Sequence, residues 1–145
     1  MNWNNIPDGE RLRLWKNLRT DISTLSLDDQ LSEVAKFFST IPYGIRSLDY
    51  YTPSTWPTPW EIIFHDNLCK SSISLLIFHT FSLLHTDIII NLQLINDGES
   101  EYLLPVINNT FVLNYELGQV NKCHDIAAEI KILNTYAQKD IKGIS

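Results

Sequence analysis

Hydrophobic periodicity changes once along this 145-residue chain, and that change bounds the folds open to it. Between Asp8 and Leu84 the periodic stretches repeat apolar residues every three or four positions, the spacing of helices with one buried stripe. Beyond His85 the pattern becomes short apolar, β-branched runs bounded by turn residues. Helical and strand patterns that occupy separate stretches build an α+β domain, with helices packed on an antiparallel sheet. The length fits one such domain, residues 1–145.

The first helical stretch carries two stripes. Asp8 is read as the cap of one, with Leu12, Trp15, Leu18, Ile22 and Leu25 on its buried face. Ser26, with Asp29 three residues on, starts the other, in which Leu27, Leu31, Val34, Phe38 and Ile41 recur until Pro42 ends it. Residues 1–41 are therefore expected to form a helical hairpin. Arg11, Arg13, Lys16 and Arg19 alternate with Leu12, Trp15 and Leu18 and are read as a solvated basic face.

Residues 42–57 lose all periodicity. Pro42, Gly44, Pro53 and Pro57 predict an extended, ordered loop carrying Tyr43, Tyr50, Tyr51 and Trp56. Such loops are often binding elements, and aromatic side chains in them also serve to roof a core; both roles stay open.

Residues 58–118 read as the core. Thr58-Pro59-Trp60-Glu61 is a helix start, with proline at the first helical position and glutamate at the third. Asp66 or Asn67 is read as the cap of a longer helix whose face includes Cys69, Ile73, Leu76, Ile77, Thr80, Phe81 and Leu84, central and buried. Strands follow at Ile88 to Ile95, Glu101 to Ile107 and Thr110 to Tyr115, separated by Asn96-Asp97-Gly98 and Asn108-Asn109. Pro105 cannot donate to a ladder, so the middle strand needs a bulge or one unpaired side. Residues 119–145 fit a helix from Asp125 and a strand alternation through Ile130, Ile132, Asn134 and Tyr136 equally; we expect a helix at the start.

Composition excludes several functions. A net charge of −6 works against nucleic-acid binding, which needs clustered cations to neutralise phosphates. The longest uncharged run, Ser71 to Thr86, is shorter than the roughly 20 apolar residues that span a bilayer, so no membrane partner is expected. Two cysteines and no apolar leader point to a reduced, cytoplasmic setting without a disulfide framework. Five scattered glycines make no phosphate-binding loop. His65, Cys69, Cys123 and His124 are zinc-ligand types, but Cys123 and His124 are neighbours and the first pair straddles a cap, so neither a metal nor a cofactor is expected.

Cys69 carries the one chemical candidacy. A thiol at a helix start lies near unpaired N–H groups, the setting of a nucleophile, but it needs a base, usually a histidine oriented by Asp or Asn. His79, ten residues along the same helix, lies about 15 Å away along the axis and cannot reach. His79 and His85 are read as satisfied structural residues, and Cys69 as a small buried hydrophobe.

Thr58-Pro59-Trp60-Glu61, then Cys69 heading a buried helix, then strands ending in Phe111-Val112-Leu113-Asn114 resemble the core of transglutaminase-like and papain-like cysteine hydrolases. The resemblance covers Trp56 to Gly118. It implies Cys69 as nucleophile and Asn114 as orienting residue, and it places the histidine near Glu101 or Tyr102, neither of which is an imidazole. It therefore implies a catalytically degenerate member of that fold. The segments Leu14-Trp15-Lys16-Asn17-Leu18-Arg19 and Trp56-Pro57-Thr58-Pro59-Trp60-Glu61 are similar to small uncharacterised proteins of tailed bacteriophages, implying a virion, assembly or host-interaction role.

The sequence thus leads to an α+β domain: a helical hairpin and a buried central helix on a three- or four-stranded antiparallel sheet. The expected function is protein binding or assembly through Tyr50, Tyr51, Trp56 and Trp60, in the host cytoplasm or a virion. The competing expectation is a cysteine hydrolase or acyl transferase using Cys69.

Overall fold

The computed structural model describes residues 3–45, 47–85 and 87–141. The amino-terminal hairpin is formed by α1 (Asp8–Ile22) and α2 (Leu27–Ser39). Pro7, not Asp8, is the N-cap of α1; Asp8 and Glu10 sit in the first turn, where carboxylates favour the positive helix end. The helix stops at Ile22, so Leu25 lies beyond it and is 39% exposed rather than part of the stripe. Ser26 caps α2 as expected, its hydroxyl accepting from the Asp29 N–H at 3.3 Å.

The basic face needs correction at Arg11, which is 2% exposed on the same side of α1 as buried Trp15 and Ile22. Its guanidinium donates to the carbonyls of Trp3 at 2.9 Å and of Ile63 and His65 at 3.2 Å, and pairs with Asp66. These acceptors supply what a buried cation needs. Arg19 lies over the Trp15 ring at 4.3 Å, so it too is drawn onto the protein rather than left in water.

Among its described residues the proline-rich segment has no regular structure except a single 3-10 turn at Pro53–Thr55. It roofs the core. Trp56, expected among the exposed aromatics, is 1% exposed, with its indole N–H donating to the Asp49 carbonyl at 2.6 Å. Tyr50 is half-buried, and its carbonyl accepts from the Tyr136 hydroxyl at 2.7 Å.

Helix α3 (Pro59–Ile63) begins with the expected capping box of Thr58 and Glu61. Helix α4 (Lys70–Leu84) is the buried centre: every residue from Ser71 to Phe81 is buried. The Trp15 indole reaches across to the Thr80 hydroxyl at 2.8 Å and pins α1 to α4. His85 is satisfied by Gln30 at 2.6 Å, whereas both ring nitrogens of His79, 1% exposed, lack a partner; the expectation that His79 is satisfied is wrong.

The sheet comprises β1 (Ile90–Asn96), β2 (Glu101–Ile107), β3 (Phe111–Leu113), β4 (Val120–Lys122) and β5 (Lys131–Ala137), all antiparallel in the order β4-β3-β2-β1-β5. The meander through β1, β2 and β3 is as expected. Five strands replace the three or four expected, because the ambiguous carboxy-terminal segment supplies both edges. Its helix shrinks to one turn, α5 (Cys123–Ile126), and the alternation after it becomes β5 paired with β1. Pro105 pairs with Leu92 in β1, while β3 bonds β2 only at Val106 and Ile107, leaving the proline's other side outside the ladder.

Alternation along β2 divides the core. Leu103 and Ile107 join the cluster around α4, whereas Tyr102, Leu104 and Val106 pack with Ile95, Val112 and Ile126 in a smaller one. On edge strand β5 the register shifts opposite Leu94 and Ile95, the Thr135 N–H donates to the Asn134 side chain at 2.9 Å, and the Ala137 N–H to Asp140 at 3.0 Å. Among the described residues no helix is long and apolar enough to cross a membrane.

Candidate functional site

The resemblance points to the amino-terminal end of α4, where Cys69 lies. Cys69, rather than Asp66 or Asn67, is the N-cap; its backbone is extended, and its sulfur accepts from the Ser72 N–H at 3.4 Å with the Ser72 hydroxyl at 3.3 Å. A side chain folded back onto its own helix in this way performs the work of a capping serine. Among the described residues no imidazole is hydrogen-bonded to that sulfur. His65 carries its carbonyl to Arg11, His79 lies ten residues along α4, His85 bonds Gln30, and His124 bonds Asp125.

The residues expected to complete a catalytic set do converge, but on Lys70. The Asn114 side-chain amide, at the end of β3 with φ +66°, donates to the Lys70 carbonyl at 3.0 Å and the Ser74 hydroxyl at 2.9 Å, and its oxygen accepts from Tyr43 at 2.8 Å. Both amide N–H groups are thus spent on the start of α4, and the oxygen already accepts from Tyr43.

Tyr102 stands where the histidine was expected, and its hydroxyl donates to Asp97 at 2.9 Å. The Lys70 ammonium lies 4.3 Å from the Tyr102 ring centroid and donates to the Tyr115 carbonyl at 3.1 Å. Burial lowers the Lys70 pKa, opposed by the nearby Asp97 carboxylate. Burial pushes the Tyr43 phenol up to about 12, and burial with the Asp97 hydrogen bond pushes Tyr102 higher still. Asp97 is held below its ordinary value by the Ser100 and Glu99 N–H groups and Tyr102. Lys70, Asp97, Tyr102, Tyr115, Glu116 and Glu129 surround a cleft of about 480 Å³. Its chemistry is that of a pinned cation among phenols and carboxylates.

The order of elements put Asn114 at the end of β3 and the expected histidine near Glu101 or Tyr102, but it gave no role to Lys70. The missed signal is one of register: an N-cap side chain turns back over its helix, so the following residue faces the sheet.

The segment before α4 is strapped by the loop above it. The Gly44 N–H donates to the Leu68 carbonyl at 2.6 Å, and a Cβ added at Gly44 would overlap the Asn67 backbone. Gly44→Ala is expected to lower stability by about 2 kcal/mol, because backbone rather than a flexible side chain must move. Urea unfolding of the variant checks this; a loss below about 0.5 kcal/mol would show the strap to be loose.

Of the expected binding aromatics, Tyr51 and Trp60 reach the surface at 62% and 36% exposure. The Tyr51 hydroxyl is fixed by Glu101 at 3.0 Å, and the Trp60 ring meets Trp15 edge-on at 5.4 Å. Phe64, just past α3 and 46% exposed, is an apolar surface residue the sequence did not single out.

No family model and no curated protein matches the sequence. Among solved structures the chain is similar to Legionella pneumophila LapG, with 15% identity and a TM-score of 0.70 over 90% of this chain and 76% of that one. The calcium-bound form of LapG gives 14% identity and 0.67 over 94% and 82%, and the EGTA-treated form 16% and 0.67 over 91% and 78%. At these identities the likeness is one of fold, and it bears out the transglutaminase-like α+β architecture.

Proposed function

We propose that this chain is a non-catalytic protein-binding or assembly protein of a tailed bacteriophage, acting in the virion or host cytoplasm, on a transglutaminase-like fold whose reaction centre is closed. One observation carries the loss of catalysis. Asn114 and Tyr102, at the places the resemblance gives to the orienting residue and the base, are both committed to holding Lys70 and the start of α4. The Cys69 sulfur is engaged as a helix cap. A thiol without a base has lost its proton acceptor. The phage assignment rests on the similarity at Leu14 to Arg19 and Trp56 to Glu61.

Tyr51 and Trp60 are the partner contacts. Each is partly exposed yet anchored, so it offers contact area at little cost in side-chain entropy. Buried Trp56 and half-buried Tyr50 serve the surface from beneath by fixing the loop.

Affinity capture from the native source tests both halves. Tyr51→Ala combined with Trp60→Ala should reduce capture on the order of tenfold, as loss of two aromatic anchors does. Cys69→Ala should leave capture unchanged. Equal capture by a folded double variant removes the aromatic contacts; iodoacetamide labelling of Cys69 in the folded protein with an apparent thiol pKa well below about 8.5 restores the reading of Cys69 as a nucleophile, with Asn114 as the residue that orients its base.

A further inference from the structure

The sheet face opposite α4 is covered only in part. Chain leaving β4 turns through α5 and crosses back to β5, arching over the middle of the sheet. Beneath this crossover lies a pocket of about 380 Å³, within the roughly 300 to 1,000 Å³ range of ligand sites. Val106 and Val112 line it from β2 and β3, and Ile126, Ile130 and Ile132 from the crossover and the start of β5. Gln93 lines it from β1, and among the described residues its amide makes no hydrogen bond, whereas the Asn109 side-chain oxygen accepts from the Asn91 amide at 3.4 Å and keeps its own N–H groups free for a ligand. Asn109, in the turn before β3 with φ +53°, lines it as well.

We propose that this pocket binds a medium-length aliphatic chain carrying one uncharged hydrogen-bonding head group. The aliphatic walls complement the chain, and the Gln93 and Asn109 amides complement the head. Charge points the same way. His124, which also lines the pocket, is paired with Asp125 at 2.9 Å, and the Glu129 carboxylate accepts from the Tyr115 hydroxyl at 3.3 Å, so neither carboxylate is left unpaired beside the site. The site shares no lining residue with the Lys70 cleft and does not depend on the partner reading.

Cys123 also lines the pocket and serves as a reporter. With Cys69→Ser leaving it the single thiol, the full chain is labelled with a maleimide while 1-decanol is titrated, and thermal unfolding is followed in parallel. Decanol should slow labelling at least fivefold in a saturable manner and raise the melting temperature; 1,6-hexanediol should do neither. Ala127→Phe, which adds bulk at an exposed position on the pocket lining, should abolish both effects without unfolding the protein. The proposal is overturned if labelling and melting ignore decanol, or if protection survives Ala127→Phe. It is equally overturned if protection rises with protein concentration alone, since a second copy would then be the occupant.

Discussion

Replacing Arg11 with methionine is expected to cost about 4 kcal/mol, the largest effect of any single substitution considered. The guanidinium is 2% exposed and holds three separate pieces of chain: the amino-terminal turn through Trp3 and Asn4, the end of α3 through Ile63, and the segment before α4 through His65 and Asp66. Methionine fills much of the volume but leaves buried carbonyls without donors, each costing about 1 to 3 kcal/mol. Lysine should recover little, because one ammonium cannot fan out to acceptors on three sides. Asp66→Ala should cost only about 1 kcal/mol, since that carboxylate is 56% exposed and its partner keeps the carbonyls. Urea midpoints at constant slope rank the three. An Arg11→Met variant within 1 kcal/mol of the parent would show the carbonyls to be satisfied some other way.

The second large effect is a dependence on pH seated at His79. Burial pulls its imidazole from 6.5 down to about 4, and neither ring nitrogen has a partner in the core. As pH falls through the window between those values, the unfolded chain takes up a proton that the folded chain refuses. Stability is therefore lost on acidification and levels off below about pH 4. The difference between 6.5 and about 4, at about 1.4 kcal/mol per pH unit, amounts to about 3 kcal/mol. His79→Leu removes this component, so the gap between variant and parent should widen in the variant's favour from pH 7 to pH 4.5. Carboxylates titrate in both proteins and cancel in the comparison. Parallel loss of stability in the two would show that His79 is protonated without unfolding.

Arg11 also shows where sequence stops being legible. Helical spacing puts it on one face with Trp15 and Ile22, yet a charged residue is assigned to water unless its partners are known. Those partners lie more than 50 residues away in sequence, at Ile63, His65 and Asp66. Some local chemistry, by contrast, was readable: Thr58, Pro59 and Glu61 encode their own helix start, and Asn96-Asp97-Gly98 its own turn, with Gly98 at φ +98°, although the caps of α1 and α4 proved to be Pro7 and Cys69. Residues 131–137 fit either period because pairing with β1, some 40 residues earlier, makes the choice. At the site, Asn114 was legible from the order of elements. Lys70 was not, because whether position 69 or 70 faces the sheet turns on which residue caps the helix.

The outer margin of β5 limits how this molecule can be recognised. A strand open along one side normally invites another chain to extend the sheet through its amides. Here two of those amides are already claimed by Asn134 and Asp140, and the kink opposite Leu94 and Ile95 breaks the straight run a newcomer would need. With β4 only three residues long at the far side, neither flank is a template for strand addition. Both flanks thus discourage docking by sheet extension, and with it the edge-to-edge stacking of identical copies.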